Sequence, residues 1–184
     1  MGQAGWARDL ARSLLEEPLP RRWAHTRGVA AQAERLASIV GEDADLLVAA
    51  AWLHDIGYSP ALVATDLHPL DGARYLRDVQ NADDRLCRLV ANHSCAAIEA
   101  RERGLGDDLT QEFAPEQEDL TNALIYCDMT TDPEGRRVAF DDRLGEIVNR
   151  YGPNHPVSRS MRMAAPTLRR AVDEVERRKA LVDS

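Results

Sequence analysis

The sequence predicts an all-α fold, a single-domain helical bundle, and three observations carry that reading. Apolar residues recur at intervals of three and four along the chain, and no stretch shows the alternating period of a half-buried strand. Alanine and leucine abound while aromatic residues make up only 5% of the chain, a balance that favours helices over sheets. Stops are supplied by residues such as Pro18, Pro20, Gly41, Pro133 and Gly135, which divide the periodic stretches into helix-sized pieces. At 184 residues the chain is long enough for one domain, residues 1–184, with a substantial core.

Residues 3–15 place Trp6, Leu10 and Leu14 four apart, an amphipathic helix ended by Pro18 and Pro20. A second helix is expected from about Pro20 to Val40, with Gly41 as its stop and His25, Val29, Ala33, Leu36 and Val40 on its buried stripe. Asp43 or Asp45 suits the cap of a third helix whose face, Leu47, Ala50, Ala51 and His54, again ends in a histidine before Gly57 breaks it. Asp55 lies about 100° further round that helix. Pro69 suits the first turn of a fourth helix running to about Val79, with His68 at its mouth. The next helix, from near Asp83, carries Leu86, Leu89, Val90 and His93 on one face. Residues 104–115 read as a polar, acidic loop, a candidate flap. From Glu116 a helix runs Leu120, Leu124, Asp128 at intervals of four, so an acid stands where a core residue belongs. After the break at TTDPEGRR, helices are expected from about Ala139 to Tyr151 and from Pro156 to roughly Lys179, the last kinked at Pro166. These C-terminal helices, within 139–179, are expected to pack on a core that holds the motifs, 25–128.

A formal charge of −8 argues against a nucleic acid polymer as partner, because such binding calls for a basic surface. No apolar run approaches the roughly 20 residues that span a bilayer, so no membrane partner and a cytoplasmic location are expected. Cys87, Cys95 and Cys127 are odd in number and lack C-x-x-C spacing, which reads as reduced and mostly buried. Lys179 is the sole lysine, so arginine forks are the available grips for a small anion. The acidic stretch DEVERR of the last helix reads as a solvated face or the surface of a homodimer.

A single histidine on an apolar helix face is ordinarily a satisfied core residue. Here four of the five histidines and two aspartates fall at the inward ends of separate helices, more titratable groups than a core accepts without a cation. Four imidazoles and two carboxylates without a thiolate favour transition metals, Fe or Mn first and Zn, Co or Ni after them. Six protein ligands are too many for one catalytic ion that keeps a position open for water. Two divalent ions sharing Asp55 fit better.

The order His25, His54-Asp55, His68, His93, Asp128, with the strings H-T-x-G-V, L-H-D-I-G and H-x-x-x-G-A-x-x-L, resembles the HD-domain metal-dependent phosphohydrolase superfamily, and in particular its dinuclear H…HD…H…H…D subset. The resemblance covers roughly His25 to Asp128. The local strings look like the small bacterial branch that includes the symmetrical diadenosine tetraphosphate hydrolases, although TTDPEGRR and Arg143 differ from that branch. The resemblance implies one metal on His25, His54, Asp55 and Asp128 and a second on Asp55, His68 and His93. It further implies catalysis centred on His54 and Asp55, in which a water between the ions is deprotonated near neutral pH and attacks phosphorus in line. Activity is then expected to fall below about pH 6, where imidazoles protonate. The substrate expected is a small anionic phosphomonoester or phosphoanhydride, in the first place a nucleotide. Arg27, Arg136 and Arg137 are the expected substrate contacts, with Tyr58, which stands where many relatives carry Lys or His, as a hydrogen-bond donor and His155 as a further candidate for the pocket. Two alternatives share the ligand set: a di-iron oxygenase of the same fold and a non-catalytic, metal-stabilised regulatory module.

Overall fold

The computed structural model describes residues 2–182. Residue 1 and residues 183–184 of the expected domain lie outside the described residues. The described residues form eleven α-helices: α1 (Gln3–Leu15), α2 (Pro20–Arg35), α3 (Ala37–Val40), α4 (Ala44–Leu53), α5 (His68–Asp78), α6 (Asp84–Asn92), α7 (Ala96–Glu102), α8 (Gly106–Glu112), α9 (Glu118–Met129), α10 (Phe140–Tyr151) and α11 (Pro156–Val182). Short 3-10 turns at Gly41–Asp43, Ile56–Tyr58 and His93–Cys95 join some of them. No strand forms among the described residues, where the single extended pairing is an isolated bridge between Thr131 and Arg137.

The bundle is organised around α4. Its residues Leu46 to Ala51 are buried without interruption, the pattern of a helix apolar all round and covered on all sides. It packs against α1, α2, α6 and α9. The alanines of α4 and of α1 allow close approach, and α1 buries Ala7, Ala11 and Leu15 completely while Trp6, Leu10 and Leu14 are only partly covered. The buried stripe of α1 is thus rotated one residue from the expected one. Asp45, expected to cap its own helix, instead accepts the backbone N–H groups of Gln3 (2.9 Å) and Ala4 (3.3 Å) and so caps α1.

Other boundaries follow local chemistry. α2 ends at Arg35, short of the expected Val40, because the buried Leu36 leaves helical geometry at φ −91°, ψ 2°, and a single further turn reaches Gly41. Asp83 caps α6 by accepting from Arg85 N and Leu86 N. The expected loop over 104–115 is helical in its middle. Leu109 and Phe113, four apart, are both buried, and Glu112 on the same helix binds Arg74 and Arg77 of α5, which pins α8 down rather than leaving a flap. α11 runs through Pro166, whose exposed position puts the missing N–H on the solvent side. Val157, Met161, Ala164, Leu168 and Val175 form its buried stripe. Cys87 and Cys127 are buried, Cys95 is partly so, and all three are free.

Candidate metal centre

The inward ends of α2, α4, α6 and α9, with the first residue of α5, meet at one place. His25, His54 and Asp128 bring ligand atoms within 4.8 Å of one another, and Asp55, His68 and His93 form a second such group. Asp55 joins the two. Its Oδ2 lies 3.4 Å from His54 Nε2 and 3.9 Å from His25 Nε2, while its Oδ1 lies 3.4 Å from His68 Nε2 and 3.9 Å from His93 Nε2. One carboxylate therefore offers one oxygen to each set.

Backbone carbonyls aim the imidazoles. His54 Nδ1 donates to Ala51 O at 2.8 Å, His93 Nδ1 to Val90 O at 2.7 Å, and His25 Nδ1 to Asp132 O at 3.0 Å. In each ring the proton is thereby fixed on Nδ1, which leaves the Nε2 lone pair facing the cluster. For His54 and His93 the acceptor is the carbonyl three residues earlier, at a helix C-terminus where carbonyls lack intrahelical partners. For His25 the acceptor comes from the turn after α9. That turn approaches α2 through two glycines, since a Cβ on Gly28 would overlap the backbone of Gly135, which itself holds φ 82°. Gly57 does the same for His68: a Cβ there would overlap the His68 carbonyl oxygen, so the HDIG glycine lets α5 dock against the turn.

The electrostatics suit a cation. Burial works against the ionised Asp55, yet Arg22 and His54 outweigh it and hold its pKa well below the usual carboxylate value. Burial likewise opposes ionisation of Asp128, but the close approach of His25, with His54 and Arg143 around it, keeps its pKa well below that value too. Burial lowers His25 and His93, and lowers His68 far more. His54 moves the other way, because Asp55 outweighs its burial. Two ionised carboxylates and several neutral imidazoles, gathered where His54 Nε2 is buried without a hydrogen-bond partner, form a donor set that could hold divalent metal ions. The residues present fit such ions: His25, His54, Asp128 and Oδ2 of Asp55 on one side, Oδ1 of Asp55, His68 and His93 on the other.

Among the expected substrate contacts only Tyr58 lies here. Its ring stacks on His68 with centroids 3.9 Å apart, and the Arg22 guanidinium covers it at 3.6 Å. Arg27 is exposed beside Trp23 and Trp52 on a different face. Arg136 points outward to Asp132, and Arg137 reaches Tyr126 and Glu176, so neither meets the cluster. His155 stacks on Tyr151, and its Nδ1 accepts the N–H of Val157 at the start of α11, which is a capping role. The centre holds instead three residues outside the expected ligands and substrate contacts. Arg22 donates to Asp55 Oδ2 at 2.6 Å, Ser94 donates to Asp128 Oδ2, and Arg143 brings Nη2 to 3.7 Å from Asp128 Oδ1. Arg143 was legible: it lies three residues after Phe140 and four before Ile147, on the buried stripe of α10.

A helical bundle whose helix ends converge on a His/Asp centre with one shared carboxylate defines the class of the protein. The family model described as "HD domain" matches residues 22–129, more than half of the chain, and the chain belongs to that family. No curated protein and no solved structure matches it. Among the described residues no helix is long and apolar enough to cross a membrane.

Proposed function

We propose that this protein is a metal-dependent phosphohydrolase with two divalent ions, Fe or Mn in the first place, acting on a small phosphomonoester or phosphoanhydride, nucleotides being the first class to test. The split carboxylate of Asp55, with one oxygen turned to each histidine set, carries the reading. Divalent ions held there supply Lewis-acid charge for phosphoryl oxygens and acidify water. The chain's own residues do the rest. Arg22 and Arg143 bring guanidinium groups to the lining of the cavity at the centre, where a phosphoryl group would arrive. Tyr58, its pKa pushed well up by burial, stays protonated and keeps an O–H to donate. The cavity at the cluster is small, about 50 Å³, so a phosphoryl group enters while the rest of a substrate stays outside it.

The test joins elemental analysis of the purified protein with a phosphatase screen across nucleotides and simple phosphate esters. Two equivalents of metal and phosphate release without dioxygen support the proposal. Dioxygen uptake with iron would point to an oxygenase, and full metal occupancy without turnover of any compound would point to a binding module. His54→Ala and Asp55→Ala are expected to lose both metal and turnover. An Asp55 variant that kept full activity would overturn the assignment.

A further inference from the structure

Beside the centre lies a second cavity, of about 280 Å³, walled by Pro18, Leu19, Pro20 and Pro133. Arg22, Arg143 and Arg150 line both cavities and so stand on the boundary between them. Arg143 is the unusual member. Its side chain is only 4% exposed, and its Nε is buried without a hydrogen-bond partner. Nη1 is held by Glu146 at 2.7 Å, and Nη2 lies 3.5 Å from His25 Nε2 and 3.7 Å from Asp128 Oδ1. A buried guanidinium with a spare donor beside the metal centre is poised for a further acceptor. Arg143 and Arg150 both come from α10, which lies beyond residues 22–129 that match the family model.

We infer that Arg143, with Arg22 and Arg150, forms a clamp for the substrate's phosphoryl group, and that the proline-lined cavity takes a compact, largely apolar organic portion. This rests on the phosphohydrolase reading for its chemistry, though the clamp itself is a property of anion binding. A planar guanidinium grips a phosphoryl group through two parallel N–H bonds, which a lysine cannot reproduce. Glu146 serves as a positioning residue, holding the fork by Nη1 while Nη2 lies toward His25 and Asp128.

Inorganic phosphate binding, followed by calorimetry on the whole chain with and without Mn²⁺, tests the clamp. Arg143→Gln is expected to weaken phosphate binding about tenfold or more, the scale of a lost charge-assisted hydrogen bond. Mn²⁺ affinity should hold or rise, because the substitution removes a positive charge from beside two metal ligands. Loss of both affinities would mean that Arg143 only supports the site. Arg143→Lys covers the case of a misfolded glutamine variant: it keeps the charge without the fork, and phosphate affinity equal to wild type in a folded Arg143→Lys protein overturns the clamp. For the organic portion, phenyl phosphate should show a lower KM than glycerol phosphate, and the reverse order overturns that half. If the wild type hydrolyses phosphate esters while Arg143 variants bind phosphate normally, the clamp fails and the phosphohydrolase stands. If nothing is hydrolysed yet phosphate binding depends on Arg143, the enzyme reading fails and the anion site stands.

Discussion

The Nε2 atoms of His68 and His93 face each other at 3.1 Å. Because His93 keeps its proton on Nδ1 for the Val90 carbonyl, the proton between the two rings belongs to His68 Nε2. To ligate through Nε2, His68 must move that proton to Nδ1, which is buried and has no hydrogen-bond partner. The other three histidines have a carbonyl ready for that proton. The set containing His68 should therefore be the weaker one, since an imidazole whose second nitrogen lacks an acceptor typically costs 10–100-fold in metal affinity. Calorimetric titration of metal-free protein with Mn²⁺ is expected to resolve a tight and a weak step. His68→Ala should remove the weak step alone, and a single step with full stoichiometry in that variant contradicts the assignment.

Arg22 and Asp55 form an ion pair with side chains 17% and 5% exposed, and the metal would use the same carboxylate oxygen. Without metal, Arg22 is the main positive charge holding Asp55 ionised, so Arg22→Ala should destabilise the metal-free protein by about 3 kcal/mol, the typical loss when one partner of a buried pair is removed. With Mn²⁺ bound the ion takes over that charge, and most of the loss should be recovered. Urea denaturation with chelator and with Mn²⁺ measures the difference. Equal destabilisation in both states would show that Arg22 matters for packing instead.

The metal-free protein is expected to lose stability on acidification from about pH 6.5. Burial lowers the folded pKa of His25, His68 and His93 from 6.5, so below that value the unfolded chain binds protons that the folded one refuses, and stability falls with falling pH. His54 runs the opposite way, its raised pKa adding stability below 6.5 that is lost as pH rises through the folded value. Three groups against one leave a net loss toward acid. The carboxylates Asp55 and Asp128 stay ionised in this window, and the stability their lowered pKa values contribute is fully present above the unfolded value of 3.8 and lost only as the pH falls below it. Thermal unfolding of chelated protein between pH 7.5 and about 5 measures this; a Tm that rises toward acid would contradict it.

All six candidate ligands converge, because His25, His54, His93 and Asp128 stood on apolar faces that such polar groups do not occupy without a partner, with Asp55 beside His54 and His68 at the mouth of its helix. The bounds of α1 and the starts of α5 and α6 were legible for a similar reason, since apolar spacing and caps act locally. The arginines expected to contact substrate, Arg27, Arg136 and Arg137, lie away from the centre. With arginine supplying nearly every positive charge, nearness in sequence to a ligand says little about where a side chain of that length ends, and Arg27, two residues past His25, faces away while Arg22, three before it, faces in. Arg143 carried the same signal as the histidines, a polar residue on an apolar stripe. Residues 106–112 were hidden by their acidic composition, because the Leu109 and Phe113 spacing is a short signal among charges.

Asp132 shows how a residue that touches no ligand-binding atom with its side chain still governs the centre. Its carbonyl oxygen receives His25 Nδ1, while its carboxylate ties the turn by accepting Glu134 N at 2.9 Å and Arg136 N at 2.8 Å. The Arg136 side chain also reaches that carboxylate, at 2.8 Å, but from an exposed position where such pairs contribute little. Removing the carboxylate frees two backbone N–H groups that shape the turn, and with it the carbonyl that orients His25. Asp132→Ala is therefore expected to weaken metal binding roughly 10–100-fold, the range seen when a partner that orients a ligand is lost. Arg136→Ala, by contrast, should leave metal affinity and KM near wild type. Mn²⁺ titration of the two variants separates these outcomes: if Arg136→Ala raises KM while Asp132→Ala binds metal normally, the turn does not position His25 and Arg136 reaches the substrate after all.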